Sequence, residues 1–126
     1  MRAIKLISST IGEVVVELSE ENLITARKLL EALPVEGKAN LWGDEIYFRI
    51  PVEVEPENPR IIVKEGEVAI WIEEPSLCIF FGKTPVSTGD TIRAYSEVNV
   101  IGKVVGDCKV FKNVKPGELI RVERIE

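Results

Sequence analysis

The strict alternation of side chains over residues 45–55 constrains the fold more than any other feature of the sequence. Every second position is apolar, and the positions between are mostly charged or polar. Successive side chains of a β-strand point to opposite faces, so this pattern predicts a strand with one buried face. The apolar set is Ile46, Phe48, Ile50, Val52 and Val54, and the opposite set is Glu45, Tyr47, Arg49, Pro51, Glu53 and Glu55.

Many other short segments are also predicted to be strands. They are residues 2–7, 13–18, 39–42, 60–63, 67–73, 77–81, 98–105, 108–111 and 119–125. Gly43-Asp44 is the two-residue turn signal of a hairpin between two of these strands. Numerous short strands joined by closely spaced turns favour a mostly β barrel or sandwich.

One helix is predicted, over residues 19–33. Ser19 is a suitable N-cap, and the two acidic residues after it favour the positive end of the helix dipole. Pro34 disfavours helical geometry at the residue before it and ends the segment. With 126 residues and no linker or repeat, the chain is predicted to form a single domain over residues 1–126.

The composition excludes several classes of catalytic and metal site. The chain has no histidine, which rules out Ser-His-Asp and Cys-His catalysis and every histidine-containing metal site. Cys78 and Cys108 are too few for a four-ligand zinc site, and we expect buried, reduced thiols. The acidic stretches 53–55 and 73–74 show no spacing that singles out a catalytic pair and are predicted to be solvated surface. We therefore expect no metal and no cofactor.

The charge balance also limits the partners of the protein. A net charge of −5 and a pI near 5.0 argue against nucleic-acid binding, which requires a basic surface. No apolar run approaches the roughly 18 residues of a membrane span, and the first residues lack a signal peptide, so we expect a cytoplasmic protein. The absence of glutamine and the abundance of glutamate, lysine and arginine are thermophile-like and concern stability rather than activity.

Several segments follow one another in the order found in a known family. They are residues 12–18, 47–51 (Tyr-Phe-Arg-Ile-Pro), 79–81 (Ile-Phe-Phe) and 99–104 (Asn-Val-Ile-Gly-Lys-Val), and more sharply residues 43–48, 77–85 and 98–103. Together they resemble cyclophilins, and more closely an uncharacterised prokaryotic branch of cyclophilin-like proteins. The resemblance covers nearly the whole chain. It implies a closed β-barrel of about eight strands with one or two short helices.

The resemblance also implies a site. Cyclophilins isomerise X-Pro bonds with an arginine that donates a hydrogen bond near the prolyl nitrogen, beside an apolar pocket for the proline. Arg49 matches that arginine and is the candidate catalytic residue. Candidate ligand-binding residues are Tyr47, Trp71, Ile79, Phe81 and Tyr95. The alternative for Arg49 is a surface residue paired with Glu45 or Glu53.

The sequence departs from cyclophilins in most of the pocket. Ile79 replaces a glutamine, Val54 stands where a pocket phenylalanine is expected, and the pocket histidine has no counterpart. Two arrangements of residues 77–81 stay open. Either Ile79 and Phe81 face the groove, or both faces of this strand are core and one of them lies under a loop.

Three functions are compatible with these observations. The first is a module that binds a peptide or small molecule in a groove lined by Arg49, Tyr47, Ile79 and Phe81, and the loss of pocket residues favours it. The second is a weak or specialised peptidyl-prolyl cis-trans isomerase that uses Arg49. The third is a subunit of a larger enzyme complex. The fold alone does not choose among them, and the oligomeric state does not follow from the sequence.

Overall fold

The computed structural model describes residues 2–125 and confirms a mostly β fold with two helices. The strands are β1 (Ala3–Ser8), β2 (Gly12–Leu18), β3 (Val35–Lys38), β4 (Asn40–Leu41), β5 (Glu45–Arg49), β6 (Arg60–Val63), β7 (Glu67–Trp71), β8 (Ser76–Phe80), β9 (Ile92–Val104) and β10 (Leu119–Arg124). The helices are α1 (Leu23–Ala32) and a 3₁₀ helix (Cys108–Asn113).

All strands belong to one antiparallel sheet that curls back on itself. The order is β3-β10-β1-β2-β9-β7-β8-β5-β4, and β6 pairs with β9 beside this path. The two ends of the order, β3 and β4, are neighbours in the chain and are separated only by Ala39. Along this continuous segment, β3 pairs with β10 and β4 pairs with β5. Hydrogen bonds among residues 2–125 do not close the sheet, so the predicted closed barrel is not confirmed.

Both faces of the sheet bury apolar side chains. The concave side holds the main core, which includes Ile46, Phe48, Ile50 and Val54 from the alternating segment. A second cluster covers the opposite face of β5, β7, β8 and β9 under β6; it consists of Val63, Ala69, Cys78, Phe80, Ile92, Ala94, Val98 and Val100. The face of the sheet that bears Tyr47 and Arg49 is therefore partly covered rather than fully exposed.

Burial on both faces of β8 decides between the two arrangements left open for residues 77–81. Leu77, Ile79 and Phe81 belong to the main core, whereas Cys78 and Phe80 belong to the second cluster. Both sets are core, and Ile79 has no exposed surface. Side chains that stay buried on both faces explain why this segment is a continuous apolar run instead of an alternating one.

The helix begins four residues later than predicted. Ser19 does not cap it, and the N-cap residue, Asn22, makes no side-chain cap. Instead, the carboxylate of Glu57, from the loop after β5, accepts hydrogen bonds from the backbone N–H groups of Ile24 (3.1 Å) and Thr25 (3.0 Å). A distant carboxylate thus supplies the acceptor that the first turn of a helix needs, so no local cap is required.

Further sequence predictions about the strands are corrected. Residues 108–111 start the 3₁₀ helix and are not a strand; the Asp107 side chain caps that helix by accepting from the N–H of Lys109 at 2.9 Å. Four residues are too few for periodicity to separate a strand from a helical turn. The strand predicted over residues 45–55 ends at Arg49, because Pro51 has no N–H with which to continue a ladder. The strand predicted from residue 98 begins at Ile92, and β3 was not predicted.

Candidate ligand-binding site

Ten residues line a cavity of about 360 Å³ on the face of the sheet opposite the main core. They are Trp42, Glu45, Tyr47, Trp71, Glu73, Glu74, Cys78, Ala94, Tyr95 and Val98, and we call this space the aromatic cavity. Three of them, Cys78, Ala94 and Val98, also belong to the second cluster, so the floor of the cavity is the edge of a packed apolar layer.

Strand register brings the lining side chains together. Tyr47 of β5 lies opposite Cys78 of β8, and Trp71 of β7 lies opposite Val98 of β9. Residues directly opposite in an antiparallel pair share a face, so these four side chains point to the same side of the sheet. Glu45 joins them because it is two residues from Tyr47 along β5.

A bulge in β9 adds the fourth aromatic ring. Arg60 pairs with Val98, but Ile62 pairs with Arg93, so residues 94–97 of β9 face a single residue of β6. Extra residues of this kind bend a strand and redirect its side chains. The bulge carries Tyr95, which is 69% exposed and lines the aromatic cavity.

The four aromatic rings of the cavity contact one another edge to face. Tyr95 lies 5.9 Å from Trp42 and 5.9 Å from Trp71, measured between ring centroids, and Tyr47 lies 6.3 Å from Trp71. The interplanar angles of 77° to 83° are those that aromatic quadrupoles favour. All four aromatic residues line the cavity.

Hydrogen bonds fix the orientation of Trp71. Its indole Nε1–H donates to the hydroxyl oxygen of Ser96 at 2.6 Å, and that hydroxyl donates to the Glu73 carboxylate at 2.6 Å. Because Ser96 comes from the bulge in β9 and Glu73 from the turn after β7, these bonds connect the bulge to that turn.

Glu45 is the most unusual group of the cavity. Glu45 is only 6% exposed to solvent. Burial raises its pKa from 4.5 to about 7, and a hydrogen bond with the neighbouring Cys78 thiol offsets a smaller part of that shift. Burial, followed by the charge of Glu45, also raises the pKa of Cys78 well above its usual range. The thiol therefore stays neutral, and Glu45 titrates near neutral pH.

The structure brings three of the residues suggested by sequence to this cavity and leaves three outside it. Tyr47, Trp71 and Tyr95 line it. Ile79 is fully buried in the main core, and Phe81 is buried against Phe111, at 6.3 Å between ring centroids. Arg49 and Ile79 project from opposite faces of the sheet, so the apolar slot that the resemblance implies beside Arg49 is not formed by Ile79.

Arg49 lies on the same face as the cavity, near its rim. Its guanidinium is 3.7 Å from the carboxylate of Glu74, rather than paired with Glu45 or Glu53. Both side chains are about two-thirds exposed, at 68% and 66%. An ion pair this exposed contributes little to stability, so Arg49 is held only weakly.

Sequence reasoning missed Trp42 and Glu45 as cavity residues, although a signal for them was present. The Gly43-Asp44 turn makes them the first pair of the hairpin, with backbone hydrogen bonds of 2.9 and 3.2 Å in the two directions. Such a pair shares a face, which is also the face of Tyr47. Cys78 had no comparable signal, because an apolar run does not show which of its faces borders a cavity.

Two other kinds of site are not found in the described part of the chain. Residues 2–125 contain no group of three or more cysteine, aspartate or glutamate side chains arranged to hold a metal ion. Within the same residues, no helix has the length and apolar character needed to cross a bilayer. Both cysteines are buried, free thiols.

Comparisons with known proteins agree with this architecture. No curated protein matches the chain. The solution structure of the hypothetical protein AF2241 from Archaeoglobus fulgidus is similar over 98% of this chain and 95% of its own, with 44% identity and a TM-score of 0.85. A structure of McbB in complex with tryptophan is similar over 96% of this chain and 44% of its own, with a TM-score of 0.73. At 19% identity, that second likeness shows a shared fold alone.

A family model described as cyclophilin-like matches residues 2–123, which is nearly the whole chain. This match confirms the resemblance carried by the segments around Arg49, Phe81 and Gly102. The chain belongs to the cyclophilin-like family.

Proposed function

We propose that this protein binds a small organic molecule in the aromatic cavity. The observation that carries the proposal is the convergence of Trp42, Tyr47, Trp71 and Tyr95 around one cavity. At about 360 Å³ the cavity falls within the range of small-molecule sites, and aromatic walls with a few polar groups are typical of them. The rings of such a site bury the body of a ligand, and the polar groups select its orientation.

The size of the cavity favours a compact ligand over a long peptide. Its volume of about 360 Å³ lies near the lower end of the range for small-molecule sites. The McbB structure, which shares the fold, is a complex with tryptophan. Aromatic amino acids and their amines are therefore suitable first ligands to test.

The experiment uses the two tryptophans of the chain, both of which line the cavity. In ¹H–¹⁵N spectra, only Trp42 and Trp71 give indole N–H signals, so both signals should shift during titration with indole and phenyl compounds that occupy the cavity. Calorimetry then gives the affinity. Saturable shifts confined to backbone signals outside the cavity would refute the assignment, as would the absence of any saturable response.

A matched pair of variants tests the location. Tyr95→Ala removes an exposed wall residue, and we expect it to weaken binding about tenfold or more. Leu119→Ala removes an exposed apolar side chain in β10, outside the cavity, and should leave the affinity unchanged. Equal affinities in the two variants would contradict binding in the cavity.

A prolyl isomerase that uses Arg49 is the second candidate function. The observation in its favour is the position of Arg49 at the rim, in an exposed pair with Glu74 that a bound peptide can replace. A protease-free isomerisation assay on a panel of X-Pro peptides tests it. Catalysis that is lost in Arg49→Ala would support this function, and no rate above background would reject it for those peptides.

A further inference from the structure

We propose that the natural ligand of the aromatic cavity is an organic ammonium ion whose charge is balanced by Glu45. This inference rests on the proposed small-molecule function and specifies the chemical class of the ligand. It also makes binding dependent on pH. Three independent properties of the cavity support it.

The first property is the sign of the groups around the cavity. Its ionisable groups are all acids: Glu45 and Tyr47 from β5, Glu73 and Glu74 from the turn after β7, Cys78 from β8 and Tyr95 from β9. No lysine or arginine lines it. The nearby Arg49 is outside the lining and is paired with Glu74 at the rim. A cavity with this composition attracts a cation and repels an anion.

The second property is that the buried Glu45 carboxyl group has no cationic side chain beside it in the cavity. Glu45 is buried, and the neighbouring thiol of Cys78 forms a hydrogen bond with its carboxyl group. Ionising a buried carboxyl group without a cationic partner is costly, which is why its pKa rises to about 7. An ammonium group placed beside it would supply the missing partner.

The third property is the aromatic wall. The negative faces of tryptophan and tyrosine rings attract cations, and tryptophan does so most strongly. Trp42 and Trp71 both present their rings to the cavity, beside Tyr47 and Tyr95. The part of the ammonium group that Glu45 does not contact can therefore lie against ring faces instead of water. Neutral molecules of the same shape gain neither interaction.

A proton balance follows from these properties. In the empty cavity below pH 7 the Glu45 carboxyl group is mostly protonated, and in the complex it is a carboxylate paired with the ligand. The proton passes to the solvent as the cation binds. Affinity should therefore rise with pH and level off above 7, and the gain between pH 5.5 and 7.5 should be about 20-fold.

The test uses three probes with the same phenyl body: phenethylamine, 2-phenylethanol and 3-phenylpropionate. Tryptophan emission, excited at wavelengths that the probes do not absorb, reports binding at pH 5.5, 6.5 and 7.5. We expect the amine to bind at least about tenfold more tightly than the alcohol at pH 7.5, and the anion to bind most weakly. Calorimetry of the amine at pH 6 in two buffers of different ionisation enthalpy should show release of about one proton.

Glu45→Gln should remove both the preference for the amine and its pH dependence, while the alcohol binds as before. Glu17→Gln, an exposed glutamate of β2 outside the cavity, should change neither. The pH profile and the proton release of the wild-type protein need no variant, so they decide the question even if Glu45→Gln does not fold.

The outcomes separate the inference from the function on which it rests. Equal binding of the amine and the alcohol at every pH would overturn the ammonium inference and leave a small-molecule cavity in place. Tight binding of the amine without proton release would overturn the role of Glu45. No saturable binding of any probe, together with no response to the indole compounds, would overturn both the inference and the proposed function.

Discussion

Replacing Glu45 by glutamine should change how the stability of the protein depends on pH. The amide is close to the carboxyl group in size and stays neutral at every pH, so the variant keeps the packing and removes the titration. The folded protein holds a proton on Glu45 more tightly than the unfolded chain does, because burial disfavours the charged form. This residue therefore stabilises the fold most at acidic pH, and that contribution is lost as the pH rises.

The magnitude follows from the two pKa values. The contribution of Glu45 is fully present below its ordinary value of 4.5 and is lost as the pH passes through about 7. Each pH unit in this window lowers the free energy of unfolding by up to about 1.4 kcal/mol, which amounts to a total of about 3 kcal/mol. The stability of Glu45→Gln relative to wild type should rise by this amount between pH 4 and pH 8.

Guanidinium unfolding followed by circular dichroism at several pH values measures this difference. Guanidinium is itself a salt, and it screens the charges of exposed ion pairs much more than it screens a buried carboxyl group. The chain contains no histidine, so no imidazole titration overlaps the window. Glu17→Gln should give a profile parallel to that of the wild type. A difference between Glu45→Gln and wild type that stays constant within about 0.5 kcal/mol from pH 4 to 8 would refute the desolvation of Glu45.

Three further predictions concern packing, capping and the cavity wall. Gly37→Ala should destabilise the fold by about 1–3 kcal/mol in guanidinium unfolding, because the added Cβ would lie 2.6 Å from the ring of Phe48; no loss would contradict this close contact. Glu57→Gln should cost about 1 kcal/mol at pH 7 by weakening the cap of α1. Burial raises the pKa of Glu57, but hydrogen bonds from the start of α1 outweigh burial and lower it, so the wild type loses this stabilisation as the pH falls below 4.5, and a deficit that persisted at pH 2 would argue against the cap. Ser96→Ala should shift the indole N–H signal of Trp71 in ¹H–¹⁵N spectra with little loss of stability, and an unchanged signal would contradict the hydrogen bond.

Much of the fold could be predicted from local patterns. The alternation from Ile46 to Val54 correctly identified the buried face of β5, although the strand ends at Arg49, and the Gly43-Asp44 turn correctly identified the hairpin between β4 and β5. The start of α1 and the 3₁₀ helix at Cys108 were not predicted. The start of each helix depends on a side chain that accepts hydrogen bonds from its first N–H groups. For α1 this is the carboxylate of Glu57, which is more than thirty residues away in the chain.

The candidate site could be predicted only in part. The resemblance to cyclophilins directed attention to Arg49 and to the strand that carries it, and Tyr47 was found because it shares that face. Ile79 was assigned to the groove from the same resemblance but lies in the main core. An apolar strand that is buried on both faces carries no periodic signal, so its sequence does not show which face borders a cavity.

The sequence by itself determined most of the strands, the side of β5 that is buried and the family, because strand periodicity and ordered motifs are properties of consecutive residues. Only the tertiary structure decided that the other side of β5 becomes a cavity. Register places Tyr47 beside Cys78, and the bulge in β9 brings Tyr95 against Trp42 and Trp71. Nothing in the sequence distinguishes Glu45 from a surface glutamate. Its pKa is raised because residues that are distant in the chain bury it.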